Sequence, residues 1–346
     1  MMKGKELLCI SLAAVCLAGT VSCSKDYTGR YIRIQGSTQP HAGATKTAYS
    51  DVTYTESAAT YERIDWVSGD KILLAMKNDG GTEQLAYSIT GIKSSSNRYS
   101  KATLVPDGVA SGLQWGDGTH YFWSAYPSTA TVGNDMTVRG SYPATQTLTY
   151  RTEADNVKYF DPDMNLAYMV ASLSTPPQDY ISLDYYPAMT TFDFEVGAND
   201  NIVITGFEME TETSGLTSDV DLTGTFVATF DPASSMAWTF TTDGATGKKI
   251  TASFPQNISV SQTKKARFKL FALPKDITGV RIKFTLSTGV TKSLNLKQND
   301  SWITFPACIK ANISGLLIPD AVWHITFSGP REEQWIVNSD IEIGVE

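Results

Sequence analysis

The chain has 346 residues, 42% of them apolar and only 18% charged, with a formal net charge of −8. That length is enough for two domains of ordinary size, and the apolar share suits a large core. The acidic balance excludes a nucleic-acid binder, which needs basic stripes to displace counterions from phosphate.

The first predicted element is an export signal at residues 1–22. Lys3 and Lys5 precede an apolar run from Leu7 to Ala18, and Thr20-Val21-Ser22 lead into Cys23. A basic start, a short apolar segment and small residues before the cut form a secretory signal. The cysteine predicts a lipoprotein, with acyl chains carried on Cys23. The apolar run is too short to span a hydrocarbon core of about 30 Å as a helix. Ser22 suits the lipoprotein signal, whereas Thr20 stands where Leu is usual. The alternative is a plain secretory signal with a chance cysteine. At about 0.8 kcal/mol per buried methylene, several acyl chains hold a protein firmly on a membrane. Loss of the signal removes Lys3, Lys5 and Glu6 and brings the net charge to −9. It also removes Cys9 and Cys16, so Cys308 has no intramolecular disulfide partner and reads as a small core residue.

Beyond residue 28 the chain reads as nearly all-β. Lys71–Met76, Tyr121–Tyr126, Thr191–Val196 and Arg281–Leu286 are strand-like, and the last two alternate with period 2, as strands with one buried face do. Turn clusters separate such runs, among them Asn78–Gly81, Gly116–Gly118, Asp243–Gly247 and Ser287–Gly289. The prolines of Ser172-Leu173-Ser174-Thr175-Pro176-Pro177-Gln178-Asp179 cannot sit inside a central strand, so the domain boundary is expected there. This predicts an N-terminal β-sandwich over 23–175 and a C-terminal one over 176–346, with a strand-like tail from about 320. In the tail, Trp335, Val337, Ile341, Ile343 and Val345 are the candidate donor-strand residues, and the last three alternate with acidic or small residues. It reads either as a terminal strand docked in its own sheet or as a strand offered to another subunit.

Catalytic templates find little here. The three histidines, His41, His120 and His324, have no metal-ligand spacing, and no Gly-x-Ser-x-Gly elbow supports a nucleophile. Gly244-Ala245-Thr246-Gly247-Lys248-Lys249 lacks the first glycine and the Ser/Thr of a phosphate loop and reads as a hairpin turn. Asp161, Asp163 and Asn165 offer oxygens at alternate positions, but the sixth and twelfth positions of a calcium loop are Leu166 and Ser172. No catalytic residue, metal ligand or cofactor is expected. The seven Trp, 16 Tyr and 14 Phe fit either a large β core or a sugar-stacking surface.

Several segments together resemble the fimbrillin family, the lipoprotein-derived subunits of type V pili in Bacteroidetes-like bacteria. They are Thr45-Lys46-Thr47, Trp66-Val67-Ser68-Gly69-Asp70-Lys71-Ile72, Tyr121–Pro127, Met164–Ala171, Ile181–Phe192 and Phe271-Ala272-Leu273-Pro274. The resemblance implies two transthyretin-like Greek-key sandwiches and a non-enzymatic subunit of a surface pilus, supporting adhesion. It implies cleavage after an arginine, for which Arg30, Arg33 and Arg63 are the candidates, and assembly by strand addition, in which main-chain hydrogen bonds supply affinity. The implied partners are other pilus subunits, the outer membrane through lipid on Cys23, and a host or bacterial surface glycan or protein. The implied location is the outer-membrane surface, with release into fimbriae after processing. The alternative function is a surface glycan-binding lipoprotein that uses exposed aromatic residues.

Overall fold

Alternating sequence becomes alternating burial. In the strand Val280–Leu286, Val280, Ile282, Phe284 and Leu286 are buried while Arg281, Lys283 and Thr285 face outward. The computed structural model describes residues 27–38, 48–56, 59–93, 101–108, 111–212, 214–216, 219–234, 238–317, 323–328 and 341–343. The signal at 1–22, Cys23, His41, Thr45–Thr47, Trp335, Val337 and Val345 lie outside these residues. In chain order the strands are β1 (Ile34–Thr38), β2 (Ala48–Glu56), β3 (Ala59–Asp65), β4 (Lys71–Asn78), β5 (Gly81–Lys93), β6 (Lys101–Pro106) and β7 (His120–Tyr126). Next come β8 (Thr131–Val132), β9 (Thr137–Tyr142), β10 (Thr145–Ala154), β11 (Val157–Pro162), β12 (Met169–Thr175), β13 (Ile181–Pro187) and β14 (Thr190–Gly197). They are followed by β15 (Ile202–Thr211), β16 (Thr223–Phe230), β17 (Trp238–Gly247), β18 (Lys249–Ser253), β19 (Ile258–Val260), β20 (Lys265–Ala272) and β21 (Val280–Leu286). The last are β22 (Thr291–Asn295), β23 (Lys297–Gln298), β24 (Ser301–Trp302), β25 (Lys310–Leu316), β26 (Trp323–Ser328) and β27 (Ile341–Ile343). Among the described residues the only helical turn is the 3-10 turn Met164–Leu166, so the chain is all-β as expected.

Seven strands close a barrel in the order β1-β13-β12-β7-β4-β5-β6. A twelve-stranded sheet runs β22-β21-β15-β18-β10-β11-β20-β14-β25-β26-β27, with β19 beside β15. It folds over as a sandwich, since Phe207 of β15 meets Phe194 and Phe268 across the core at ring distances of 4.8 and 4.9 Å. A four-stranded sheet, β17-β16-β9-β8, lies over the outer face of β4, β7 and β12, and their shared core holds Trp123, Val138, Tyr142, Val170 and Phe226. This explains why β7 is buried on both faces. Strand pairing crosses the Ser172–Asp179 segment in both directions. β13 joins the barrel, while β9 pairs with β16, β10 with β18 and β11 with β20. Sheet membership therefore does not follow the 23–175 and 176–346 division.

Two local expectations are corrected. Asp243–Gly247 is not a hairpin turn but the bulged end of β17, where Thr225 pairs with Asp243 and Thr223 with Gly247. Gly224 opposite has φ +126°, and a Cβ there would meet the Ala245 carbonyl at 2.9 Å. The second correction concerns β14, which buries both faces rather than one. Asp193, 2% exposed, is bound by the Arg267 guanidinium at 2.6 Å and by the ammonium groups of Lys310 at 2.9 Å and Lys269 at 3.5 Å. Arg267 and Lys269 come from β20 and Lys310 from β25, the two strands that flank β14. Burial alone would push the Asp193 carboxyl up. Lys310, Lys269 and Arg267 overcome this and hold it well below the ordinary carboxylate range.

A depressed native value makes the Asp193 contribution complete above the unfolded carboxylate pKa of about 3.9, and lost as pH falls through the lower native one. Asp193→Asn leaves buried ammonium groups facing a neutral amide and is expected to cost about 3–5 kcal/mol near neutral pH. Urea midpoints measured from pH 7 to pH 2 check this: the gap between the two proteins should stay constant above about pH 4 and narrow progressively below it.

Candidate functional site

Five residues close the barrel. β1 pairs in parallel with β13, Ile34 opposite Ile181, and antiparallel with β6, Ile34 opposite Leu104. Its inward positions are Ile34 and Gly36, with Ile32 just before it, and all three are buried. At its far end Ser37 donates a hydrogen bond to Asp184. Gly36 leaves an inward position unfilled. A Cβ there would lie 3.5 Å from both Leu104 and Tyr185, an ordinary contact distance. Below β1 in the barrel, Trp66 packs edge-on against Tyr185 and Tyr126 at 5.3 and 5.7 Å. A tight turn launches β4: Gly69 takes φ +95°, and the Asp70 carboxylate accepts from Val67 N–H at 2.9 Å.

The segment just before β1 is held by the loop at 111–118. Gly29 N–H donates to the Trp115 carbonyl at 2.7 Å, Trp115 N–H to the Arg30 carbonyl at 3.0 Å, and Ile32 N–H to the Leu113 carbonyl at 2.9 Å. Thr28 Oγ1 donates to Asp117 at 3.1 Å. The side chains of Arg30 and Arg33 are exposed, but their carbonyls are engaged, Arg30 by Trp115 and Arg33 by Ile181 N–H at 2.9 Å. A protease must place that carbonyl in its own oxyanion site, so either cut needs local opening first. Arg63 lies in β3, opposite the irregular stretch of β2 between Tyr49 and Thr53. The three arginines are therefore not equivalent. A cut after Arg30 or Arg33 separates β1 from Cys23 but leaves it joined to the body. Only a cut after Arg63 detaches β1, together with β2 and most of β3.

At the other end of the chain, β26 is a resident strand of the large sheet. Trp323 and Ile325 are buried in its core, and Gly315 on β25 makes room for the Trp323 ring, which a Cβ there would strike. β27 forms the outer edge, with Ile341 opposite Ile325 and Ile343 opposite Trp323. The remaining sequence candidates have structural work. Asp163 caps the 3-10 turn by accepting from Asn165 N–H at 3.0 Å, and Asp161 faces Arg151 at 3.4 Å. Cys308 is a half-buried turn residue with φ +58° rather than a core residue, because its N–H is turned toward Thr190 Oγ1 at 3.2 Å. His324 is exposed on β26. Trp66, Trp115, Trp123 and Trp323 are buried, and Trp238 and Trp302 are half-buried. The exposed aromatics include Tyr31, Tyr150, Tyr180 and Tyr186. Sequence reasoning missed the loop clamp and the Gly36 vacancy, because both depend on which segments the fold brings together.

No known protein-family profile and no curated protein sequence matches this chain. Solved structures do. A putative cell adhesion protein from Bacteroides uniformis superposes with a TM-score of 0.50 at 13% identity, over 84% of this chain and 97% of its own. One of the same description from Bacteroides ovatus gives 0.50 at 11% identity, over 90% and 99%. A fimbrial assembly protein from Parabacteroides distasonis gives 0.38 at 13% identity, over 85% and 94%. The first two likenesses show a shared fold.

Glycine inside a strand costs about 0.5–1 kcal/mol relative to alanine. Gly36→Ala is therefore expected to tighten β1 in its groove. It should raise the urea midpoint by a corresponding amount at unchanged slope and increase amide protection at Ile34 and Ser37.

Proposed function

We propose that this chain is a non-enzymatic, cell-surface fimbrial subunit that assembles by β-strand addition and supports adhesion. One observation carries the reading: a five-residue strand near the N-terminal end closes a barrel by pairing on both of its edges. If β1 leaves, β6 and β13 face each other across a strand-wide slot lined by Leu104, Leu183 and Tyr185. Every backbone group of that slot then lacks a partner, and main-chain pairing with an incoming strand restores it. Gly36 favours exchange, since an incoming strand with alanine at that position gains contacts with Leu104 and Tyr185 that β1 lacks. The fold shared with two Bacteroides proteins of cell-adhesion description supports the same reading.

The proposed donor is the chain beyond Ser328, with Ile341, Ile343 and Val345 presenting the alternating apolar face and Trp335 and Val337 preceding them. β26 stays behind, because withdrawing it would expose Trp323 and Ile325. Arg63 is the proposed cut that frees β1. Arg30 and Arg33 are proposed only as points of release from a lipidated Cys23 at the outer membrane.

Non-boiled gels of protein cut at single arginines test this. Protein cut after Arg63 is expected to form ladders, and protein cut after Arg33 to remain monomeric. Removal of residues 329–346 should abolish the ladders. Ladders from the Arg33-cut form would reject β1 as the exchanged strand, and ladders from the shortened chain would reject the tail as donor.

A further inference from the structure

The imidazole of His120 has 0% exposure, and its hydrogen bonds define its protonation state. Gly116 N–H donates to Nε2 at 3.0 Å, so Nε2 is an acceptor. Nδ1 lies 3.2 Å from the Gly118 carbonyl, so Nδ1 carries the proton. A second donor is aimed at Nε2. Asn78 accepts from Gly80 N–H at 2.8 Å through Oδ1, which turns its NH2 group toward Nε2 at 3.4 Å. A proton on Nε2 would face two N–H donors at once. Gly116 leaves no slack, since even a Cβ there would lie 2.9 Å from the Asn78 amide.

This ring shapes the loop at 111–118, whose backbone grips Gly29, Arg30 and Ile32. Trp115 sits edge-on to the imidazole at 4.9 Å and is itself a hydrogen-bond partner of Gly29 and Arg30. We propose that His120 is an acid-operated latch, whose neutral ring holds the loop on residues 28–32 and whose protonation at Nε2 lets that segment go. The elements packed around the ring contribute Asp117 from the loop, Asp79 from the β4–β5 turn, Phe122 from β7 and, opposite in register, Thr175 from β12. Burial pushes the imidazole down from its ordinary value, while the Gly118 carbonyl, Asp79 and Asp117 pull it partly back. The sign follows. The latch is fully closed above the free-histidine value of about 6.5, and its grip is lost as pH falls through the lower native one. Release frees the Arg30 carbonyl from Trp115, so acid exposes a peptide bond that neutral pH protects. The latch stands on this geometry alone and does not depend on strand exchange.

Amide exchange of the full chain between pH 8 and pH 5, corrected for intrinsic rates, tests it. Between the free-histidine value of about 6.5 and the lower His120 midpoint, protection at Gly29, Ile32 and Trp115 is expected to fall about tenfold per pH unit and then level off, while Phe194 and Phe268 hold theirs. His120→Gln, which still accepts from Gly116 but does not titrate, should keep protection constant with pH. Unchanged protection in the wild type, or an equal acid loss in His120→Gln, overturns the proposal. Should the variant fail to fold, the wild type decides: the acid rise in exchange at Gly29 and Ile32 must level off at the midpoint of the His120 imidazole resonance, and a rise that ignores that midpoint overturns it.

Discussion

The molecule depends on the closure of its first sheet. A barrel has no edges, and here edgelessness rests on β1, which satisfies the main-chain groups of β6 on one side and β13 on the other. Beyond this pairing, β1 is held by the Ser37–Asp184 hydrogen bond and by the loop clamp on residues 28–32. Only Ile32 and Ile34 bury apolar side chains from this segment, and at about 25 cal/mol per Å2 their burial is a small part of the barrel core. Its hold is mostly backbone pairing, which any extended chain can imitate. That makes it both necessary and replaceable.

The rest of the chain is held by cores to which this strand contributes nothing. The barrel does not stand alone: its β4-β7-β12 face is covered by β9 and β16, and Trp123, Tyr142 and Phe226 knit the two layers. On the far side, the aromatic core around Phe194, Phe207 and Phe268 and the buried carboxylate of Asp193 fix the β14-β20-β25 region. Loss of β1 therefore opens one seam and leaves the other cores in place.

Much of this was legible in the sequence. Alternation in Arg281–Leu286 translates directly into a strand with one wet face. The all-β class follows from such runs. Asp193 misled because period-2 reading assumes that a charge faces water, and its three cations come from strands distant in sequence. Asp243–Gly247 misled because glycine marks a bulge as readily as a turn. The proline-rich stretch at 176–177 does separate strands, but nothing local tells that β13 returns to the first sheet or that β9 to β11 leave it. For the candidate site, Arg30 and Arg33 are visible as residue types. What distinguishes them from Arg63 is their position relative to β1, which only the fold supplies.

The parallel pairing of β1 with β13 also sets an order of events. Ser37 and Asp184, at its far end, are separated by 147 residues of sequence. A chain that crosses a membrane N-terminus first delivers β1 long before β13 exists outside. Contacts so distant in sequence carry a large loop-closure cost and form late. The leading segment can pair with β6 early, but its other edge waits while the strands up to β13 are threaded, and that seam is the last part of the barrel to be sewn. A strand that arrives first and locks last leaves its slot unsealed for an interval in any chain that emerges N-terminus first.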